Sequence, residues 1–179
     1  ESVVEFFDAK LVRFINTPLG TYTGFEASGE WDWTPSFTPF AKSKYVQGQD
    51  EFLGGPLPGI PPLEGTVGLR WHDSSKDQRW QFEVGTRIVN QQNRLGEIIV
   101  GTTPTVVEER TGGFTTTYLR GEYKWTKDLN LVAGIDNVFD RAYQEHLDLR
   151  LLGPTGFPAP PTRVLSPGIT PYFGVDWKF

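Results

Sequence analysis

The sequence predicts an all-β protein of about eight antiparallel strands, of the kind that form a transmembrane β-barrel. Three observations lead to this prediction. Apolar and polar residues alternate along most segments, short connections alternate with long ones, and the tryptophans collect near the short connections. No segment shows the periodicity of an amphipathic helix. The predicted strands lie near residues 2–8, 19–33, 36–47, 62–72, 79–90, 114–125, 129–139 and 168–179.

The alternation is clearest at the C-terminal end, where Phe173, Val175 and Trp177 share one face and Asp176 and Lys178 lie on the other. Most of the other predicted strands are two-faced in the same way. In a barrel the polar faces line the lumen, where paired charges normally have structural roles. The charged residues expected there are Glu26, Glu30, Arg70, Glu83, Arg87, Arg120, Glu122, Lys124 and Asp136.

The connections differ sharply in length. The short turns are 34–35, 73–78 and 126–128, and the long loops are 48–61, 91–113 and 140–167. Irregular loops longer than about 12–15 residues are uncommon in compact domains. Outer-membrane barrels have short periplasmic turns and long external loops, so we expect the long loops to face outside and to carry any binding surface.

The tryptophans lie beside the short turns or at the matching chain end. They are Trp31, Trp33, Trp71, Trp80, Trp125 and Trp177. An indole ring favours the membrane interface, because its ring is apolar and its N–H seeks a partner. We therefore expect an interfacial girdle. Tryptophans of a soluble β-sandwich core would instead be spread along the strands.

Composition excludes several classes of protein. The chain has 179 residues, the length of one domain, with 17 Lys and Arg against 22 Asp and Glu. A net charge of −5 without a basic block disfavours nucleic acid as a partner. Without cysteine there are no disulfides or thiolate sites, and without methionine or a leader the chain is expected to be a processed product or a piece of a longer protein. No apolar run is long enough for a transmembrane helix.

Four short motifs in order resemble the C-terminal part of a TonB-dependent outer-membrane receptor. Asn137, Phe139, Asp140 and Tyr143 lie in a segment similar to Asn-Leu-Phe-Asp-Lys-x-Tyr on that family's penultimate strand. Residues 60–70 resemble its Pro-Pro strand entry, and 22–27 resemble its Gly-Phe/Val-Glu strand. The terminal segment with Gly174, Trp177 and Phe179 is similar to the assembly signal of outer-membrane barrels, which ends in an aromatic residue.

The resemblance implies both architecture and role. Residues 1–179 would supply roughly the last eight strands of a barrel of about 22 strands in a Gram-negative-type outer membrane, without the N-terminal plug. The implied function is TonB-dependent, energy-coupled uptake of a scarce ligand such as a ferric siderophore, haem, cobalamin or an oligosaccharide. The implied partners are outer-membrane lipid, the barrel-assembly machinery, TonB through the missing N-terminal part, and the small-molecule or metal-chelate ligand.

No catalytic motif is present, so we expect no enzyme activity and no cofactor. Glu145, His146 and Asp148 hold metal-ligating atoms, but we expect them to form a solvated loop start, and His72 a solvated turn residue. Two alternatives stay open from the residues alone. One is a complete small eight-stranded barrel, some of which are lipid-modifying enzymes, and the other is a secreted sugar-binding β-sandwich.

Overall fold

The computed structural model describes residues 3–6, 10–13, 19–75, 77–100, 103–148 and 164–179, with side chains described in 19–75, 77–96, 108–148 and 164–179. Every regular element in these ranges is a β-strand. The strands are β1 Val3–Phe6, β2 Lys10–Arg13, β3 Gly20–Glu30, β4 Phe37–Asp50, β5 Gly55–Pro56, β6 Glu64–His72, β7 Trp80–Val89, β8 Glu97–Val100, β9 Thr103–Val107, β10 Phe114–Lys124, β11 Leu129–Asp136 and β12 Thr170–Trp177.

One eight-stranded antiparallel sheet contains all the long strands. Its order is β12-β11-β10-β7-β6-β4-β3, with the short β5 paired to β4. The all-β prediction is confirmed, and the seven long strands begin and end close to the positions predicted from the alternation. Within the described residues the sheet is an open path with β3 and β12 at its edges, so it is not the closed small barrel of the first alternative.

Three segments differ from the sequence-based expectation. The strand expected at 2–8 exists as β1, but it pairs with β2 in a separate hairpin and does not join the sheet. The loop 91–113 is not irregular, because β8 and β9 form a two-stranded ribbon that continues the β7–β10 hairpin. The loop 48–61 contains β5, which extends the pairing of β4.

Local hydrogen bonds close the short turns. Thr34 and Phe37 exchange backbone hydrogen bonds of 3.2 and 3.3 Å around Pro35 and Ser36, and proline pre-sets the backbone angle that such a turn needs. In the next turn the Asp73 carboxylate accepts hydrogen bonds from the Ser75 hydroxyl at 2.5 Å and from two backbone N–H groups. These turns mark what we call the short-turn end of the sheet; the opposite side is the long-loop end.

Burial in this sheet is inverted relative to a soluble protein. Among the described residues the buried apolar side chains are Phe40, Val89 and Phe114, and the strand register places all three on the polar face. The apolar face is open, with Phe82 41% exposed and Phe173 69% exposed. The other large exposed residues of that face include Phe25, Val67, Trp71, Ile88, Tyr123, Val175 and Trp177.

This exposure is too costly for water. Burying one large apolar side chain is worth roughly 1.5–3 kcal/mol, and a folded domain is stable by only about 5–15 kcal/mol in total. Leaving the apolar face in water would forgo stabilisation as large as that whole margin. The face must therefore contact an apolar medium, and the sandwich alternative fails because the sheet has no second sheet packed on this face in the described residues.

Candidate functional site

The polar face carries a row of glycines covered by aromatic rings. Phe40, Gly68, Gly85 and Tyr118 lie side by side across four strands. A Cβ built on Gly85 would lie 2.3 Å from the Tyr118 ring, and one on Gly68 would lie 2.4 Å from the Phe40 ring. The rings lie flat over the neighbouring strands because glycine leaves room for them. The same relation joins Tyr172 to Gly134 across β11 and β12.

An ion-pair chain runs along the same face toward the short-turn end. Tyr118 Oη donates to Glu83 at 2.8 Å. Arg70 donates to Glu83 and to Glu30, each at 3.2 Å, which ties β3, β6, β7 and β10 together. Glu83 and Arg70 are mostly shielded, with exposed side-chain fractions of 14% and 24%. Three of the charges expected on this face, Glu30, Arg70 and Glu83, are therefore paired with one another across strands.

A second charged group, centred on Arg87, lies nearer the long-loop end. Its guanidinium binds Glu64 on β6 and also Glu145, which follows β11 in the last loop, at 2.5 Å. Lys44 on β4 binds the other oxygen of Glu64 at 2.8 Å. Because one guanidinium holds two carboxylates from separate elements, Arg87 fastens the last loop to the wall of the sheet.

The family-like motif forms the turn that leads out of β11. Asn137 and Asp140 have φ values of +50° and +49°, a region that Asn and Asp tolerate better than most residues. The buried Asn137 donates to the carbonyl of Arg141 at 2.9 Å and to that of Pro167 at 3.3 Å. Asp140 accepts from the backbone N–H of Ile169 at 3.0 Å. The motif residues thus join the two ends of the last loop.

We call residues 137–148 and 164–169 the loop neck. In addition to the motif contacts, Asp148 accepts from the Ser166 hydroxyl at 3.0 Å. Tyr143 packs on Phe114 with ring centroids 4.4 Å apart, so the neck also rests on β10. Phe139 of the motif is 78% exposed. The neck is held to the sheet on several sides.

The expectation of a solvated loop start is wrong for His146. Its side chain is 1% exposed, with Nδ1 3.1 Å from the Thr111 hydroxyl and Nε2 3.6 Å from Glu108. Glu108 also accepts from the backbone N–H groups of Gly59 at 2.7 Å and Gly96 at 2.9 Å. His146 therefore lies where the neck meets two other long loops, 48–61 before β6 and 91–113 between β7 and β10. No group of three metal-ligating side chains occurs in the part of the chain that the structure describes.

The short-turn end holds the predicted girdle residues. Trp71 and Trp80 contact edge to face at 4.9 Å, and Trp177 lies 6.5 Å from Phe179. Trp31, Trp33 and Trp125 are each more than 60% exposed. Their membrane depth stays a prediction, as does the assembly role of Gly174, Trp177 and Phe179. His72 is half-buried rather than solvated, with Nε2 3.2 Å from the Thr38 hydroxyl.

A cavity of about 490 Å³ opens between the loop neck and the polar face. Tyr143 and Asn137 line it on the neck side, and Lys42, Arg87 and Arg120 line it on the sheet. Its volume lies within the range of about 300–1,000 Å³ that is usual for small-molecule sites. Neither Lys42 as a cavity residue nor Arg87 as the partner of Glu145 was predicted from the sequence, because the alternation gives a residue's face but not its partner on a distant loop.

An antiparallel sheet with an apolar outer face and a charged inner face is the wall of a transmembrane β-barrel. The sequence matches the family described as TonB dependent receptor-like, beta-barrel over residues 5–138. The chain therefore belongs to the TonB-dependent receptor β-barrel family. Members of this family are outer-membrane proteins of Gram-negative bacteria, and so is this chain. No helix among the described residues is long and apolar enough to cross a membrane.

Solved structures show the same fold. The copper transporter OprC is 29% identical with a TM-score of 0.75, over 89% of this chain and 24% of that chain. A mutant of the ferric enterobactin receptor PfeA from Pseudomonas aeruginosa is 17% identical with a TM-score of 0.67, over 92% and 23%. The ferripyoverdine receptor of Pseudomonas aeruginosa is 16% identical with a TM-score of 0.56, over 89% and 20%. The chain thus spans about a quarter or less of these proteins. No curated protein matches it.

Proposed function

We propose that this chain is the C-terminal part of the barrel of a receptor that imports a scarce ligand across the outer membrane by TonB-dependent, energy-coupled uptake. The main support for the proposal is a sheet whose large apolar side chains are exposed on one face, in a chain that belongs to this family. The family consists of receptors and transporters rather than enzymes. In this proposal the plug and the TonB-contacting segment lie outside residues 1–179.

The open edges of the sheet support a larger barrel. Each unsatisfied backbone group in lipid costs several kcal/mol, so membrane strands must be paired on both sides. β3 and β12 each pair on one side only within the described residues. The unpaired sides would meet strands from the rest of the receptor.

The comparisons do not select one cargo, and they leave a set of candidates. The similar proteins are named for copper and for two ferric siderophores, and our candidates are a ferric siderophore, haem, cobalamin or an oligosaccharide. Copper is less favoured for this part of the receptor. The chain has no cysteine and no methionine, which are the soft ligands that Cu(I) selects.

Energy-dependent uptake tests the proposal. The full-length receptor is expressed in a Gram-negative strain that lacks its own outer-membrane receptors, and cells are supplied separately with radiolabelled ferric siderophores, haem, cobalamin and oligosaccharides. We expect one ligand to accumulate well above the vector control. A matched strain without TonB should lose this accumulation.

The control with TonB removed decides the mechanism. If no ligand accumulates, or if accumulation is the same with and without TonB, the proposed function is wrong. Equal accumulation without TonB would instead indicate a passive pore.

A further inference from the structure

We propose that the cavity beneath the loop neck is a binding site for an oxyanion group such as a carboxylate, formed by Lys42 and Arg120. The inference rests on the proposed function, because it assigns a ligand chemistry to the lumen of the receptor. The site combines a half-open cavity with positive charge that the described residues leave only partly neutralised.

Lys42 is a cation without a carboxylate partner. It projects from the polar face of β4, where its register neighbours are Ser28 on β3 and Thr66 on β6. Its contact is with the Phe40 ring, whose centroid lies 6.0 Å from Nζ. It makes no ion pair with any residue in the part of the chain that the structure describes. Its neighbour Lys44, two residues along the same face, is paired with Glu64.

Arg120 is held in place but only partly neutralised. Its guanidinium stacks over the Tyr118 ring at 4.2 Å from the centroid, which fixes its orientation. The nearest carboxylate, Asp136, lies 3.5 Å away at a half-exposed position. A planar guanidinium presents several N–H donors, so Arg120 retains donors for a second oxyanion beyond those used by Asp136 and by the Tyr172 hydroxyl.

Arg87, the third cation at the cavity, has a different role. It is saturated by Glu64 and Glu145, so it closes one side of the cavity rather than offering a free donor. Thr66 and Thr116 add hydroxyl donors on the floor between the cations. Since Arg87 is paired with Glu64 and Glu145, and Arg120 with Asp136, Lys42 is the cation of the cavity lining that has no carboxylate partner among the described residues. An oxyanion would complete this charge balance.

Two sources of the oxyanion are compatible with this chemistry. One is a soluble anion, including an acidic cargo. The other is a carboxylate of the receptor itself, supplied by a segment outside this chain. The experiment separates them, because only the first source leaves the site open to an added anion.

The test uses the purified full-length receptor with citrate as the probe. Citrate binding is measured by titration calorimetry, and thermal unfolding of the barrel is measured on the same samples. The variants are Lys42→Gln, Arg120→Gln and their combination, with Lys44→Gln as the matched control. Lys42→Arg keeps the charge and should retain wild-type behaviour, which separates loss of charge from poor folding.

If the oxyanion is soluble, the wild type binds citrate saturably, and the double variant binds at least tenfold more weakly while Lys44→Gln is unchanged. If the receptor supplies it, the wild type does not bind citrate, and Lys42→Gln, which breaks no ion pair of the described residues, unfolds at a lower temperature than the wild type. The proposal is overturned if citrate affinity is the same in the wild type and the double variant and unfolding is the same in the wild type and Lys42→Gln. Neither measurement involves TonB or uptake, so this result is independent of the transport assay.

Discussion

At the scale of single residues, glycine decides where the aromatic rings of the polar face can lie. Tyr118 crosses Gly85 and Phe40 crosses Gly68 because neither glycine has a Cβ to block the ring. The Tyr118 hydroxyl then reaches Glu83, which begins the ion-pair chain through Arg70. The glycines are therefore positions where a small substitution disturbs both packing and charge.

We expect Gly85→Ala to destabilise the full-length barrel by about 1–3 kcal/mol, the usual cost of overpacking. The new methyl group would overlap the Tyr118 ring, which would have to leave Glu83. The matched control is Gly121→Ala on β10, where a Cβ would have its nearest heavy atom 3.9 Å away. The unfolding midpoint is read from heat-modified mobility on gels. Equal midpoints for the two variants would contradict the packing argument.

Asp73 gives a pH-dependent prediction at the same scale. Hydrogen bonds from the Ser75 hydroxyl and from the backbone N–H groups of Ser75 and Arg79 lower the pKa of Asp73 below its ordinary value of 3.8. Because the pKa of Asp73 is lower in the folded state, its carboxylate stabilises the turn at pH values above the unfolded-state pKa. This stabilisation is lost as the pH falls through the folded-state pKa. The Ser75 and Arg79 amides should therefore exchange hydrogen more slowly at neutral pH than in acid, after correction for intrinsic rates.

An Asp73→Ala variant is the control, because its turn has no carboxylate to titrate. Its protection at Ser75 and Arg79 should be low and independent of pH. If wild type and variant show the same protection throughout, the Asp73 hydrogen bonds do not hold this turn.

At the scale of elements, the last loop consists of the anchored neck and the residues 149–163 that connect the two parts of the neck. Arg87 holds Glu145, and His146 is buried against Thr111. The residues 149–163 lie outside those that the structure describes. Replacing these residues therefore leaves in place all the neck contacts that the described residues make.

Two replacements with a short Gly/Ser linker test this division. Replacing 149–163 should leave the unfolding midpoint of the full-length barrel unchanged, whereas replacing 145–163 should lower its stability by about 1–3 kcal/mol, because it leaves buried polar partners unsatisfied. If the loop carries cargo, ligand uptake by the first variant should also fall at least about tenfold, equivalent to roughly 1.4 kcal/mol. Equal stability of both variants would show that the neck is not anchored.

The sequence predicts the long strands well because their signal is local. In β12 Phe173, Val175 and Trp177 lie on the apolar face and Asp176 lies on the polar face, so the alternation determines both boundaries and faces. The ribbon of β8 and β9 was missed because Ile98, Ile99 and Val100 form a continuous apolar run. The contacts of Glu145 and His146 were missed because they depend on which distant element lies opposite, and a single sequence does not encode that in any period.

At the scale of the whole molecule, the last strand is expected to matter for assembly. Phe179 is fully exposed beyond the end of β12, so it stabilises little within this sheet. Its position fits the barrel assembly signal that the terminal segment resembles. Deleting Phe179 should lower the amount of receptor in the outer membrane but leave the unfolding midpoint of the assembled fraction near that of wild type. Normal amounts after membrane fractionation would contradict the assembly role.

The inverted burial predicts that this sheet crosses the membrane with its apolar face in lipid and its polar face in the lumen. Cysteines introduced singly at each of the residues 172–176 of β12 can carry spin labels, since this part of the receptor has no cysteine of its own. In the full-length receptor in bilayers, labels at 173 and 175 should be accessible to oxygen dissolved in lipid. Labels at 172, 174 and 176 should be shielded from it. Accessibility without this two-residue alternation would contradict the account.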